Sequence, residues 1–234
     1  MTTAAQRAWE GLSNSMRLYV ESRMRFKEIF ALDREEAVKN QDLAIEAKLE
    51  KFHTLYDVTK NLPGFNYFEH GDTSLLIALR NAIHHHEDHE LFRSWNARIY
   101  LDDGIKRLAG AEFLLGSTTP SEDEMTVRFY YLLNDFYTRL KVLKNYENQR
   151  NLWDNELQFA SIAREGVEGR YPEDQVYVDV MPAFMSAVRR VRGWLDSTGF
   201  TPVGYDSETY YECFEGTAPE RTLNFIRLRL PYRE

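Results

Sequence analysis

Ser74-Leu75-Leu76-Ile77-Ala78-Leu79-Arg80-Asn81-Ala82-Ile83-His84-His85-His86-Glu87-Asp88-His89 joins an apolar run to a histidine cluster, and its reading decides the fold. From Leu75 to Ile83 the residues are apolar around most of a helix's circumference. Such a helix is normally buried, so its polar end emerges from a core or an interface. Asp72 or Thr73 is the expected cap at its start. Four of the six histidines fall between positions 84 and 89. An arginine, a neighbouring amide and a histidine supply a cation, an orienting group and a base, the parts needed to cleave a phosphodiester. The same stretch puts His85 and His89 one helical turn apart, so with Glu87 or Asp88 they offer a second reading as ligands to a divalent metal.

Upstream, Trp9, Leu12, Met16, Tyr19, Phe26 and Phe30 keep near-helical spacing, as do Ile45, Leu49, Phe52 and Tyr56. Asp33 followed by Glu36 forms a capping box between them. Two long antiparallel helices are therefore expected, the second ended by Leu62-Pro63-Gly64. Downstream, residues 91–104 read either as a short strand and turn or as the start of a helix; a helix after Asp103 is the preferred reading. Gly116 to Pro120 reads as a loop, and Ser121 with Glu124 as a second capping box. Phe129, Leu132, Phe136, Leu140 and Leu143 give a helical stripe that extends towards Ile162. Gly166, Gly169 and Pro172 are expected to break the chain before a helix over Val178 to Leu195. Glu208 to Phe214 and Thr222 to Leu230 read as two strands of a hairpin joined through Gly216 and Pro219. A hairpin alone is marginal in water, so it should pack on the bundle or on another subunit.

At 234 residues, 43% hydrophobic and 28% charged, the chain has the make-up of an ordinary globular protein with a sizeable core. No bilayer-length apolar run and no secretory signal is visible, and the single Cys213 cannot form an internal disulfide; together these point to the cytoplasm. The net charge of −8 excludes a protein that coats duplex nucleic acid through many phosphate contacts, but allows a nuclease touching a few phosphates. Twenty-one of the 29 basic residues are Arg, the better bidentate phosphate ligand. The Arg189-Arg190-Arg192 run reads as a solvated face, and His53 and His70 as structural. Phosphate-binding Gly loops, a Gly-x-Ser-x-Gly elbow and Cys clusters are absent from the sequence.

Arg80-Asn81-Ala82-Ile83-His84-His85 resembles the motif of the HEPN superfamily: Arg, a polar residue, three variable residues, then His. Leu79 before it and His86 after it also fit. The resemblance implies an all-helical domain, metal-independent RNA cleavage and no cofactor or resident metal. It makes His85 the general base on a ribose 2′-OH, or the acid for the leaving 5′-oxygen. Arg80 would hold the phosphate, and Asn81 would orient the phosphate or the imidazole. Chemistry through the 2′-OH selects RNA over DNA. On an ideal helix residues 80 and 85 lie about 140° apart and residues 80 and 84 about 40° apart. His84 therefore stays in reserve, as does His86.

The expected architecture is mainly α: a HEPN-like helical bundle over 1–200 with a small C-terminal β-hairpin appendage over 201–234. The expected function is a metal-independent endoribonuclease acting on RNA as a toxin or antiphage effector. A homodimer with the motif helix in its interface is expected, together with an antitoxin or other defence-system partner and no membrane association. The alternatives are a catalytically silent HEPN-like binding protein and a helical metal-binding protein using His85 and His89.

Overall fold

A computed structural model of the chain describes residues 3–84, 92–102, 111–120, 127–142, 144–216 and 223–230. The described residues are mainly helical with one four-stranded sheet. It divides into two compact units, each formed by two stretches of chain: Met1–Asn81 with Ala183–Glu220, and Ala82–Pro182 with Arg221–Glu234.

The first unit begins with α1 (Thr3–Leu32) and α2 (Arg34–Thr59), folded back on each other through one linking residue. That residue is Asp33, whose extended backbone and side chain cap α2; Oδ1 accepts from the Glu36 backbone N–H at 3.0 Å. Ala5, Ala8, Trp9, Leu12, Met16 and Tyr19 form the buried stripe of α1, and Ile45, Leu49, Phe52 and Leu55 that of α2. The 3–4 spacing is thus the physical cause of the pairing. Lys48 is also buried, its ammonium 4.1 Å from the Tyr19 ring and 3.9 Å from the Phe184 ring. The unit is completed by α3 (Gly71–His84), α8 (Met181–Ser197) and α9 (Tyr205–Cys213), of which the last turn of α3 and the start of α8 belong to the second unit.

The expected strand over Glu208 to Phe214 is therefore a helix. Its Tyr-rich sequence suits a strand, but Ser207, Tyr211 and Phe214 are the buried positions, at helical spacing. Trp9 fixes it: Nε1 donates to the Ser207 carbonyl at 3.1 Å, and the ring meets Tyr211 edge-on.

The second unit holds α4 (Trp95–Tyr100), β1 (Phe113–Thr118), β2 (Tyr130–Leu132), α5 (Leu133–Thr138), α6 (Tyr146–Glu156), α7 (Phe159–Glu168), β3 (Val176–Asp179) and β4 (Asn224–Arg229). The strand order is β2-β3-β1-β4. β1 runs parallel to β3 with Leu115 opposite Val176, and antiparallel to β4 with Leu115 opposite Arg227; β2 is antiparallel to β3 with Tyr131 opposite Val178. Ile99, Leu114, Tyr130, Leu132, Tyr177 and Leu230 form one hydrophobic cluster of its core.

Several expectations are corrected here. The C-terminal hairpin is absent: β4 pairs with β1, while the other supposed strand is α9. Gly116 is not in a loop but inside β1, where an added Cβ would lie 2.9 Å from Leu228 Cδ1. The stripe from Phe129 to Leu140 is a three-residue strand followed by one and a half turns of α5 and a 3₁₀ turn at Leu140–Val142. Val178 belongs to β3, and the following helix begins at Met181. Gly166 does not break the chain; it lies within α7 where an added Cβ would meet Val176 Cγ2 at 2.8 Å, so it sets how closely α7 approaches β3. Within 91–104 the helix is Trp95–Tyr100, capped by Ser94. The helix after Asp103, the Ser121–Glu124 box, Leu143 and Pro219 lie outside the described residues.

Asp179 ends β3 as a buried carboxyl. Oδ1 accepts from the backbone N–H groups of Phe129 (3.0 Å) and Met181 (3.1 Å), and Thr118 Oγ1 donates to Oδ2 at 3.1 Å. Burial pushes its pKa up to about 6 from an ordinary 3.8, against those hydrogen bonds. Folding therefore favours the protonated acid, and this group's contribution weakens as pH rises from about 4 to 6; at neutral pH the buried anion costs about 2–3 kcal/mol. Asp179→Asn keeps both N–H acceptances and meets Thr118 as a donor. Its stability relative to wild type, read from urea unfolding, should be near zero at pH 4 and distinctly positive at pH 7.5. A difference that does not change with pH would contradict the assignment.

Candidate active site

α3 delivers the motif. Leu75, Leu76, Ile77, Ala78, Leu79 and Ala82 are all buried within the single chain. Ile83, at the end of the run, is partly buried. Asp72 and Thr73 lie inside the first turn of α3, where Asp72 Oδ1 accepts from the Thr73 backbone N–H at 2.8 Å. The first intrahelical bond runs from Ser74 N–H to the His70 carbonyl at 3.1 Å. Thr73 Oγ1 instead donates to the Tyr67 carbonyl. Asp72 is buried, where it accepts from Ser186 Oγ at 2.6 Å and from Arg190 Nε at 3.1 Å.

Arg80 is the first polar residue after the run, its side chain 17% exposed. It forks onto Glu50 of α2: Nε donates to Oε2 at 2.8 Å and Nη2 to Oε1 at 3.3 Å. Nη1 donates to Asn81 Oδ1 at 3.3 Å, so the amide that follows orients the guanidinium itself. His84, one turn along the same helix, is exposed. His85, His86 and His89, with Glu87 and Asp88, lie outside the described residues. Among the described residues no group of three or more His, Cys, Asp or Glu side chains is placed to hold a metal.

The structure adds what sequence reading passed over. Glu50, His53 and Asp57 occupy one face of α2 at spacings of three and four. His53 is not an isolated structural residue: Nδ1 lies 3.1 Å from Asp57 Oδ2, and its side chain is 13% exposed. Burial first, and the charge of Arg80 second, hold the imidazole below its ordinary pKa; Asp57 and Glu50 oppose them. Burial pushes the Asp57 carboxyl up, but Lys60 Nζ at 2.8 Å, His53 and Arg80 outweigh it and leave it below its usual value. The available signal was the His-x-x-x-Asp spacing. The link to Arg80 bridges 30 residues, which no local pattern carries.

Two other candidates are structural. Arg190 is paired with Asp72, and Arg192 donates to the Tyr211 carbonyl at 3.2 Å with its guanidinium over the Tyr211 ring. The arginine run is therefore no solvated face at these two positions. In the second unit a small cleft of about 130 Å³, lined by Leu133, Asn134, Tyr137, Ala163 and Val167 among others, has mostly apolar walls and no histidine.

No helix among the described residues is long and apolar enough to cross a membrane. Comparison with known protein families, with curated sequences and with solved structures gives no match.

Proposed function

We propose that the chain is a metal-independent endoribonuclease that uses Arg80 to hold the scissile phosphate and histidines around it for proton transfer. The observation that carries this reading is the planar fork from Arg80 to the Glu50 carboxylate. A carboxylate gripped by two guanidinium nitrogens stands where two phosphate oxygens would sit, and the pair is open enough, with Glu50 37% exposed, for exchange. Asn81 keeps the fork in orientation. The motif's resemblance adds His85 as base or acid, with His84 and His86 in reserve. It also adds the physiological setting: a toxin or antiphage effector, assembled as a homodimer and held by an antitoxin or another defence component.

The same fork favours a second reading, in which Glu50 neutralises Arg80 and the chain binds a partner without turnover. Incubating the chain with single-stranded RNA in excess EDTA separates the two. Cleavage leaving 2′,3′-cyclic phosphate ends supports the nuclease. Retained RNA binding without cleavage supports the silent protein. Turnover that EDTA abolishes and zinc restores would favour the metal reading through His85 and His89.

Glu50→Gln should then strengthen substrate capture. Loss of the competing charge is expected to lower KM by up to about fivefold, since partly exposed ion pairs contribute at most about 1 kcal/mol, with kcat little changed. A raised KM would mean that Glu50 positions Arg80 for substrate and does not compete with it.

A further inference from the structure

The face of α2 beside Arg80 carries a pair that the motif does not include. His53 Nδ1 is engaged by Asp57, whose other oxygen accepts from Lys60 Nζ. The Tyr56 ring meets the imidazole edge-on at 5.3 Å, which limits its rotation. Among the described residues no hydrogen-bonding partner meets Nε2. A carboxylate at Nδ1 selects the tautomer with its proton there and leaves the Nε2 lone pair as acceptor. Glu50 lies one turn before His53 on the same helix face, and Glu50 is the residue Arg80 grips. A phosphate taking Glu50's place on Arg80 would therefore arrive one helical turn from this imidazole.

We propose that Arg80 and the His53–Asp57 pair form one site, in which Arg80 holds a ribonucleotide phosphodiester and His53 accepts the proton of the adjoining ribose 2′-OH. This rests on the cleavage reading above. The 2′-oxygen bonds to phosphorus as its proton passes to Nε2, the bond from phosphorus to the 5′-oxygen breaks, and that oxygen leaves with a proton drawn from water. The products are a 2′,3′-cyclic phosphate and a 5′-hydroxyl, and His53 returns its proton to solvent. Asp57 is a positioning residue. The groups facing the imidazole are Glu50, Asp57 and Lys60 on α2 and Arg80 on α3; burial and the two cations favour the neutral ring, the form a base needs.

The test measures cleavage of a single-stranded RNA oligonucleotide by the full chain in EDTA between pH 4.5 and 9. His53→Gln is expected to lower kcat by at least about 100-fold and to erase the acid limb of the profile. Asp57→Asn should lower kcat less and move that limb, with far-UV circular dichroism unchanged in both. Undiminished kcat in His53→Gln, or an acid limb that survives it, overturns the proposal. The site is also read without turnover, by following the His53 ring signals in NMR as inorganic phosphate is added. Signals displaced in wild type but not in Arg80→Ala support a shared site. A His53 signal unmoved by phosphate overturns it, whatever the RNA assay gives. If the wild-type chain leaves RNA intact while phosphate displaces His53, the cleavage reading falls alone and the shared anion site stands.

Discussion

Replacing Arg80 by alanine is expected to lower RNA cleavage by about 100- to 1,000-fold, the usual cost of removing one preorganised donor to a developing anion. Lysine should do almost as badly. Its ammonium restores the charge but not the planar fork, and the fork is what Arg80 shows on Glu50, two nitrogens on two oxygens. Stability should fall far less than activity. Glu50 is exposed enough for water to solvate it once its partner is gone, so the urea midpoint should move by the equivalent of about 1 kcal/mol or less. Full activity in Arg80→Lys would reduce Arg80 to a point charge; equal collapse of stability and activity would make it a structural residue.

The second large effect concerns folding and not chemistry. Asp72 is wholly buried and holds both Ser186 and Arg190 of α8. Asp72→Ala leaves the guanidinium and the hydroxyl without their acceptor. Breaking one side of such a pair costs about 3–5 kcal/mol, with the lower end expected because Arg190 keeps some access to water. Asp72→Asn, which still accepts one hydrogen bond, should fall between. Urea unfolding measures both, and a loss under about 1 kcal/mol in Asp72→Ala would show that the cluster contributes little.

These two residues also mark how far the sequence could be read. Arg80 was legible because it is the first polar residue after the five apolar residues Leu75–Leu79, and the burial of that run follows from the same pattern. The hairpin of α1 and α2 was legible from two periodic stripes with a capping box between them. β4 was legible too, since Ile226 and Leu228 are partly buried while Arg227 and Arg229 are exposed. The rest of the sheet was not. β1 is buried at nearly every position, so it shows no alternation, and its Gly116 and the Pro120 beyond it mimic a loop. β2 is three residues long, and its Leu132 falls by coincidence into register with Phe136 and Leu140 of the turns that follow. At the site, Glu50 and Asp72 meet their arginines across 30 and 118 residues. Nothing local encodes such pairings; only the packed helices do.

The two-part make-up of the first unit has a consequence for synthesis. Trp9 and Ser207, joined in the finished fold, are 198 residues apart. At translation rates of roughly 5–20 residues per second, α1 and α2 wait on the order of 10–40 s for α8 and α9 to leave the ribosome. Throughout that interval Trp9 lacks Ser207 and Tyr211, and Arg17 lacks Asp206, the partners contributed by α9. The nascent chain therefore presents an amphipathic helical hairpin with an open apolar flank, the kind of surface that holdase chaperones capture. Cellular yield should then respond to ribosome speed and chaperone supply over the middle of the message, even where substitutions there leave the equilibrium stability of the finished protein untouched.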